Sequence, residues 1–568
     1  MSTMAVLLVP LLPLLATLII TVGDEASRRA RAAVAVAPIG LAFCGAVATL
    51  YVVATEGPIL IRFYDPASLA SLAFPIGFYI DRLSAVMMVL IAAVGTIIYA
   101  YSLGYMYQDS HEPRYLALIG FTLSVLLCMV SSGNLMMLFL FWQLLSFLLY
   151  LLIHNHTHAG TLESAFRMFT LLRVGDVAFL GGIVLAYALY GTLEFESLFA
   201  NAAASTATVS LLPGVELSGT TAVTLLLFIG GMSKSAQFPL FIWLPRYLYA
   251  PTPVTALLHA GIINAGGFLI NRLAPLFGLS STTLHIAFVV GTLTAVLGAT
   301  MMLAQNDIKN TLGFSTVGQM GYMVMECGLG AFSLAVFHLI AHGLFKATMF
   351  LNCGNVIHKA RQEHGIPLRT PQDEEGHFSP LAWSTGFVTT LLIPLLILLV
   401  THGLLRIPLL ESQGTVIFLF FIWITSSQAI LTLTRLHGVA SWKVSAAMLV
   451  TLLFIVFVYL FAVESFTAFL YPNPDIVAFY FRAAALPSWL FDSMIVFATL
   501  LTVLGWFYLY FRQHGRSMRM PTWVEALRSR FYVLFVHQLY VDHAYDRLGR
   551  VVTQLLHRFD KSVQCWLP

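Results

Sequence analysis

Residues 219–240 read GTTAVTLLLFIGGMSKSAQFPL. The stretch is apolar enough, and long enough, to cross the roughly 30 Å hydrocarbon core of a bilayer as one helix. Gly230, Gly231, Ser233, Lys234 and Pro239 interrupt it. Pro239 removes a backbone donor and turns out the carbonyl four residues earlier, at Ser235. Broken backbone at membrane depth is tolerated only where it faces protein or a water-filled cavity. A lysine at such a break can load and release a proton. The plainer alternative is a lysine held permanently charged by one carboxylate.

Working outward, the same character fills the chain. Of 568 residues, 59% are hydrophobic and 10% charged, and the mean hydropathy is +0.86. A soluble domain carries about 25% charged residues. So much apolar surface can be hidden in lipid but not in water. A net charge of +3 is too small to point to nucleic acid. Cys44, Cys128, Cys327, Cys353 and Cys565 are scattered without a CxxC pair, so neither a disulfide framework nor a structural zinc site is indicated.

These patterns predict an all-α integral membrane protein. The spans expected are 3–22, 31–55, 82–105, 115–132, 134–155, 165–190, 219–240, 252–275, 282–304, 311–328, 331–357, 380–403, 414–435, 444–465 and 488–511, about 15 in all. One alternating set of loops holds Arg28, Arg29, Arg31, Arg114, Arg246, Lys309, Lys359, Arg361, Arg369, Arg435, Lys443, Arg512, Arg516 and Arg519. The other holds little beyond Arg62, Arg406 and Arg482. Positive charge marks the cytoplasmic side, which places the N-terminus outside and the C-terminus inside. That orientation requires an odd number of spans. The N-terminus lacks a basic region before its apolar run and reads as a retained helix. From Val541 to Trp566 apolar residues recur every three or four positions with basic residues between them, the pattern of an amphipathic interfacial helix.

A charge inside a span costs at least about 2.5–3.5 kcal/mol, so each needs a reason. His338, His342 and Lys346 stand at i, i+4 and i+8 and form one helical stripe. Histidine relays protons through two nitrogens; a metal site is the alternative, but no third ligand stands nearby in sequence. Arg173 and Asp176, three apart, pair on one face, as a structural ion pair or as part of a path. His259 follows the Lys234 break closely, though a lone histidine is more often a core residue. Glu326, near a helix end, is expected to reach polar surroundings, and Asp307 and Lys309 sit where charge costs little.

Four segments in order carry a resemblance. Arg173–Asp176 reads RVGD. Residues 234–253 read KSAQFPLFIWLPRYLYAPTP, 307–322 DIKNTLGFSTVGQMGY and 337–351 FHLIAHGLFKATMFL. Together they resemble the antiporter-like subunits of respiratory complex I (the NuoL type) and of Mrp cation/proton antiporters. The resemblance covers roughly 80–430. It implies two inverted five-helix repeats with interrupted helices, and ion sites near the midplane. The corresponding units are 1–110 (N-terminal helices), 111–275 and 276–435 (the repeats), 436–515 (C-terminal helices) and 516–568 (a cytoplasmic tail). It also implies a central polar axis of Lys234, His259, His338, His342 and Lys346 that carries protons.

Two departures stand out. That family has a glutamate after the tryptophan of its fifth span as partner of the broken-helix lysine; here the position is Gln143. Its other broken helix usually carries a lysine, whereas 380–403 has Pro394 and no charged group. The run 259–275, HAGIINAGGFLINRLAP, is similar to DabB, the membrane subunit of the DAB inorganic-carbon accumulation system. That likeness implies a hetero-complex with a zinc-containing, DabA-like subunit resembling β-carbonic anhydrase. It implies coupling of a proton or Na+ gradient to bicarbonate formation in a bacterial inner membrane. This chain would be an energy-coupling subunit without a catalytic metal or cofactor of its own. The alternatives are a proton-pumping subunit of a complex I-like or hydrogenase-like enzyme, and an Mrp-type Na+/H+ antiporter subunit.

Overall fold

The computed structural model describes residues 3–22, 28–64, 75–362, 461–513 and 522–545, apart from 108, 110, 155–158, 213–214 and 245–249, and a few isolated positions beyond 545. The spans expected at 380–403 and 414–435, most of 444–465, Pro394 and the greater part of the amphipathic tail lie outside the described residues.

The chain is a helical, multi-pass membrane protein. Among the described residues eight helices are long and apolar enough to cross a bilayer. Several coincide with the apolar runs: Arg82–Tyr105, Glu112–Val130, Leu135–Ile153 and Ser281–Ala304. Asn134 and Asp81 cap their helices by accepting from the backbone N–H of Met137 and Ser84 at 2.8 and 2.9 Å, which satisfies donors a helix start leaves open. The segments between spans hold two antiparallel hairpins, Ile59–Tyr64 with Ile76–Ile80 and Thr208–Leu212 with Val215–Ser218. An Arg62–Glu194 ion pair at 3.0 Å ties the first hairpin to the second segment.

Two of the expected spans are not continuous helices. Gly219–Lys234 ends at the lysine itself. The expected span 252–275 is present but interrupted: Thr252–Ala260 stops at Gly261, a single 3-10 turn Ile262–Asn264 follows, and the helix resumes as Ala265–Arg272. The Asn264 side chain causes the break to hold, donating from Nδ2 to the Ala260 carbonyl at 2.8 Å. The helices Ser281–Ala304 and Ile308–Gly328 lie backbone to backbone along Gly291, Gly298 and Gly321; a Cβ at Gly321 would collide with the main chain of Ala295. Small residues allow this approach where lipid supplies no hydrophobic drive.

Arg272 is a buried charge inside an apolar run for which the sequence offered no role. It is 4% exposed, pairs with Asp81 through NH1 to Oδ2 at 2.8 Å and NH2 to Oδ1 at 3.1 Å, and donates to Ser84 Oγ. Asp81 therefore caps one helix and clamps another. Asp81 is 29% exposed and keeps its bond to the Ser84 N–H, so Arg272→Ala should cost about 1–3 kcal/mol, the scale of hydrogen bonds to a charged group. Thermal unfolding in detergent would show it as a lower Tm; an unchanged Tm would mean that the clamp is dispensable.

Candidate functional site

The break after Lys234 places an ammonium in the core. Lys234 is 1% exposed. Its Nζ donates to the Trp142 carbonyl at 3.0 Å and to Ser146 Oγ, and lies 4.8 Å from the Trp142 ring centroid. Both partners come from Leu135–Ile153, one helical turn apart. The freed backbone finds substitutes: the Ser235 carbonyl accepts from Gln237 Nε2 at 2.9 Å, and that of Ser233 from Trp243 Nε1 at 2.9 Å. Phe238 N–H donates to Thr294 Oγ1 at 3.0 Å. Broken backbone is thereby satisfied within protein, as membrane depth requires.

Asp176 does not stand in for the missing glutamate by touching Lys234. It accepts from Trp142 Nε1 at 2.8 Å and pairs with Arg173 at 2.9 Å. Arg173 also donates to Oε1 of Gln143. Among the described residues Lys234 forms no ion pair; its link to the carboxylate runs through Trp142. Its direct partners, a carbonyl, a hydroxyl and a ring face, are all neutral.

The two interruptions are joined. Ser235 Oγ donates to the Ile263 carbonyl at 2.8 Å, inside the 3-10 turn. His259, 2% exposed, ends the helix before that turn and stacks on Phe350 with centroids 4.3 Å apart. Phe350 lies on Phe332–Gln362, the helix that carries the histidine stripe. Gly343 of that helix faces the break so closely that a Cβ there would lie 3.0 Å from the Ala260 carbonyl. On either side of Gly343 stand His342 and Lys346. Lys346, 1% exposed, donates to Ser315 Oγ at 2.9 Å and the Leu312 carbonyl at 3.2 Å. His342 is 5% exposed; among the described residues neither of its ring nitrogens, nor Nδ1 of His259, bonds to a protein group.

His338 differs from its neighbours. Its Nδ1 donates to the Glu326 carboxylate at 3.1 Å, and its Nε2 lies 2.8 Å from Oε1 of Gln319. Glu326, expected to reach polar surroundings near its helix end, finds them in His338 of the histidine stripe.

The comparisons agree with this architecture. Residues 132–396 match the family described as NADH:quinone oxidoreductase/Mrp antiporter, TM, and residues 67–116 match the complex I chain 5 N-terminus. The chain is 40% identical over 490 residues to "Probable inorganic carbon transporter subunit DabB1" of Halothiobacillus neapolitanus, covering 85% of this chain and 86% of that one. The chain belongs to the DabB family of antiporter-like membrane subunits. It is also 36% identical over 338 residues to NADH-quinone oxidoreductase subunit L of Neisseria meningitidis, covering 58% of this chain and 49% of that relative, about half its length. In fold it is similar to a chain of the Mrp complex from Dietzia sp. DQ12-45-1b, with TM-score 0.55 and 20% identity over 97% of this chain and 60% of that one. Respiratory complex I from Thermus thermophilus gives TM-score 0.52 and 20% identity, covering 84% and 99%.

In this DabB-family chain the structure gathers the eight sequence candidates in two adjoining groups: Gln143, Arg173, Asp176 and Lys234 around Trp142, and His259 against the helix that carries His338, His342 and Lys346 in that order. Sequence reasoning missed Trp142, Ser146, Ser315, Gln319 and the role of Glu326. Ser146 carried a faint signal, a hydroxyl one turn after Trp142 in an otherwise apolar run. A backbone carbonyl such as that of Trp142 carries none.

Proposed function

We propose that this chain conducts protons through the route from Lys234 to His338 and couples that flow to inorganic carbon accumulation. In this reading a zinc-containing, carbonic-anhydrase-like partner performs the hydration of CO2 to bicarbonate. The complex sits in a bacterial inner membrane, with the chain spanning it about 15 times, N-terminus outside. The observation that supports conduction is the abutting of two helix interruptions, each with a buried titratable side chain. Packing alone has no use for two lysines and two histidines buried in one bundle, because each is costly in lipid. Kinship to the inorganic carbon transporter subunit supports the coupling.

In this reading the route has a cytoplasmic end. A cavity of ≈ 60 Å³ lies between Asp109, His111, Arg114, Tyr115 and His154, large enough for several waters. His154, Tyr150, Ser146 and Trp142 follow one another at single-turn intervals along one helix face. Tyr150 and His154 stack at 6.0 Å. Protons would pass between this cavity and Lys234 along this face.

Purification of the intact complex in mild detergent, with mass spectrometry and zinc analysis, tests the coupling. A zinc-containing partner in near-equal amount is the expected result, and the chain purified alone should hydrate no CO2. Co-elution of iron–sulfur subunits would make it a redox-coupled proton pump, and a set of small antiporter companions an Mrp-type Na+/H+ subunit. Either would overturn the coupling while leaving the route.

A further inference from the structure

The run 259–275 holds two asparagines that the route leaves unused. Asn264 and Asn271 stand seven residues apart, nearly two turns, and so share one face. Both are buried. Each donates from Nδ2 to a carbonyl of its own chain at 2.8 Å, Asn264 to Ala260 and Asn271 to Gly267. These bonds fix which way each amide is turned. Among the described residues each Oδ1 then has no partner. Buried polar atoms are met by protein or by ordered water, so two orphaned oxygens on one face mark a seam that water enters.

Between the two asparagines the seam is shut. Gly267 lies midway, and a Cβ there would collide with Sδ and Cε of Met323. Met323 belongs to Ile308–Gly328, where Ser315, Gln319, Met323 and Cys327 recur every four residues as one slowly turning stripe. Ser315 holds Lys346 and Gln319 holds His338, so the inner part of the stripe adjoins the route. Its outer member, Cys327, has Sγ 3.6 Å from Asn271 Nδ2. Tyr471 stands within reach of Cys327, Asp81 and Arg272, and the Asp81 side chain is partly exposed. On the inner side, Asn264 faces Gly343, which lies between His342 and Lys346. Polar groups therefore flank one thioether, a flexible side chain with three rotatable bonds.

We infer that Met323 gates an outer half-path, which brings protons along Asn271 and Asn264 and joins the route at His342. The step rests on the conduction reading above. On the topology implied by the loop charges, the Arg272 end of the seam faces outside. Protons driven inward enter there and leave at the cytoplasmic end by His154. With Met323 on Gly267 the seam is closed, because an apolar constriction excludes water. When the thioether swings aside, water joins the two amide oxygens. An excess proton then passes from water to an unprotonated ring nitrogen of His342, leaving neutral water and an imidazolium. That ring is open to receive it, since among the described residues neither nitrogen has a protein partner.

The test is proton flux through the whole complex in proteoliposomes holding a trapped pH dye, with variants compared at equal incorporation. Met323→Ala, which empties the constriction, should raise flux severalfold. Met323→Gln, which keeps the volume but wets it, should do the same without leaving a cavity. Adding Lys346→Ala to either should abolish the excess. Asn271→Leu should lower flux about tenfold, the scale of one hydrogen bond lost along the path. If neither Met323 variant exceeds the parent, the gate is overturned; if Asn271→Leu keeps parental flux, the half-path is. Excess flux that survives Lys346→Ala would also overturn it, because the seam would then not feed the route. Each of these results leaves conduction standing. Parental flux in Lys346→Ala alone would refute the conduction reading itself.

Discussion

Lys346→Ala is expected to abolish inorganic carbon accumulation while the protein still reaches the membrane in normal amount. The ammonium is 1% exposed and held by a hydroxyl and a carbonyl, so its removal strands no opposite charge. The carbonyl of Leu312 also accepts from Thr316 Oγ1 at 3.0 Å and stays satisfied. The stability loss should therefore be about 1–3 kcal/mol, the cost of one unmet polar group. Conduction should fall by at least about a hundredfold. Lys346→Arg separates charge from proton exchange, since a guanidinium keeps its proton under all protein conditions. It should be as inactive as the alanine variant. Uptake of labelled inorganic carbon, set against immunoblots of membranes, reads both effects. Activity in Lys346→Arg would reduce Lys346 to a fixed positive charge.

Lys234→Met should be equally silent, yet fold at least as well as the parent. Methionine matches the length of the lysine chain without the ammonium. Replacing a buried charge by an apolar side chain of similar volume is often neutral or stabilising, by up to about 4 kcal/mol. Since among the described residues no carboxylate pairs with Lys234, no charge there is left uncompensated; Asp176 keeps Arg173 and the Trp142 indole. A raised or unchanged Tm with lost uptake would assign Lys234 to the route. Lost uptake with a collapsed Tm would assign it to structure.

The two helix breaks show what a sequence reveals and what it conceals. At Lys234 the glycines, the lysine and Pro239 each announce an interruption, and the chain breaks there. At Gly261 nothing comparable stands in the sequence. The run 259–264 has no proline and no charge beyond His259, and an isolated glycine is tolerated in a helix. The break depends on Asn264 reaching back to Ala260 and on Ser235 reaching Ile263 from another helix. Such contacts exist only once the bundle has formed.

The histidine stripe was visible because periodicity survives in one dimension. Its partners on the neighbouring helix were not, because pairing between helices depends on their register. Glu326 meets His338 twelve positions away, and Gln319 meets it at nineteen. Arg272 and Asp81 are further removed still. Likewise, the loss of the expected glutamate at Gln143 was plain in the sequence. Its consequence, a lysine held by neutral acceptors and linked to Asp176 through Trp142, required the structure.

The central claim is that protons cross this chain by way of its buried lysines. Proton flux of the reconstituted complex under an imposed potential, recorded side by side with the Lys234→Met and Lys346→Arg forms, bears on it most directly. The account predicts flux well above empty liposomes for the parent and the rate of empty liposomes for both variants. Parental flux in either variant, or none in the parent complex, would contradict it.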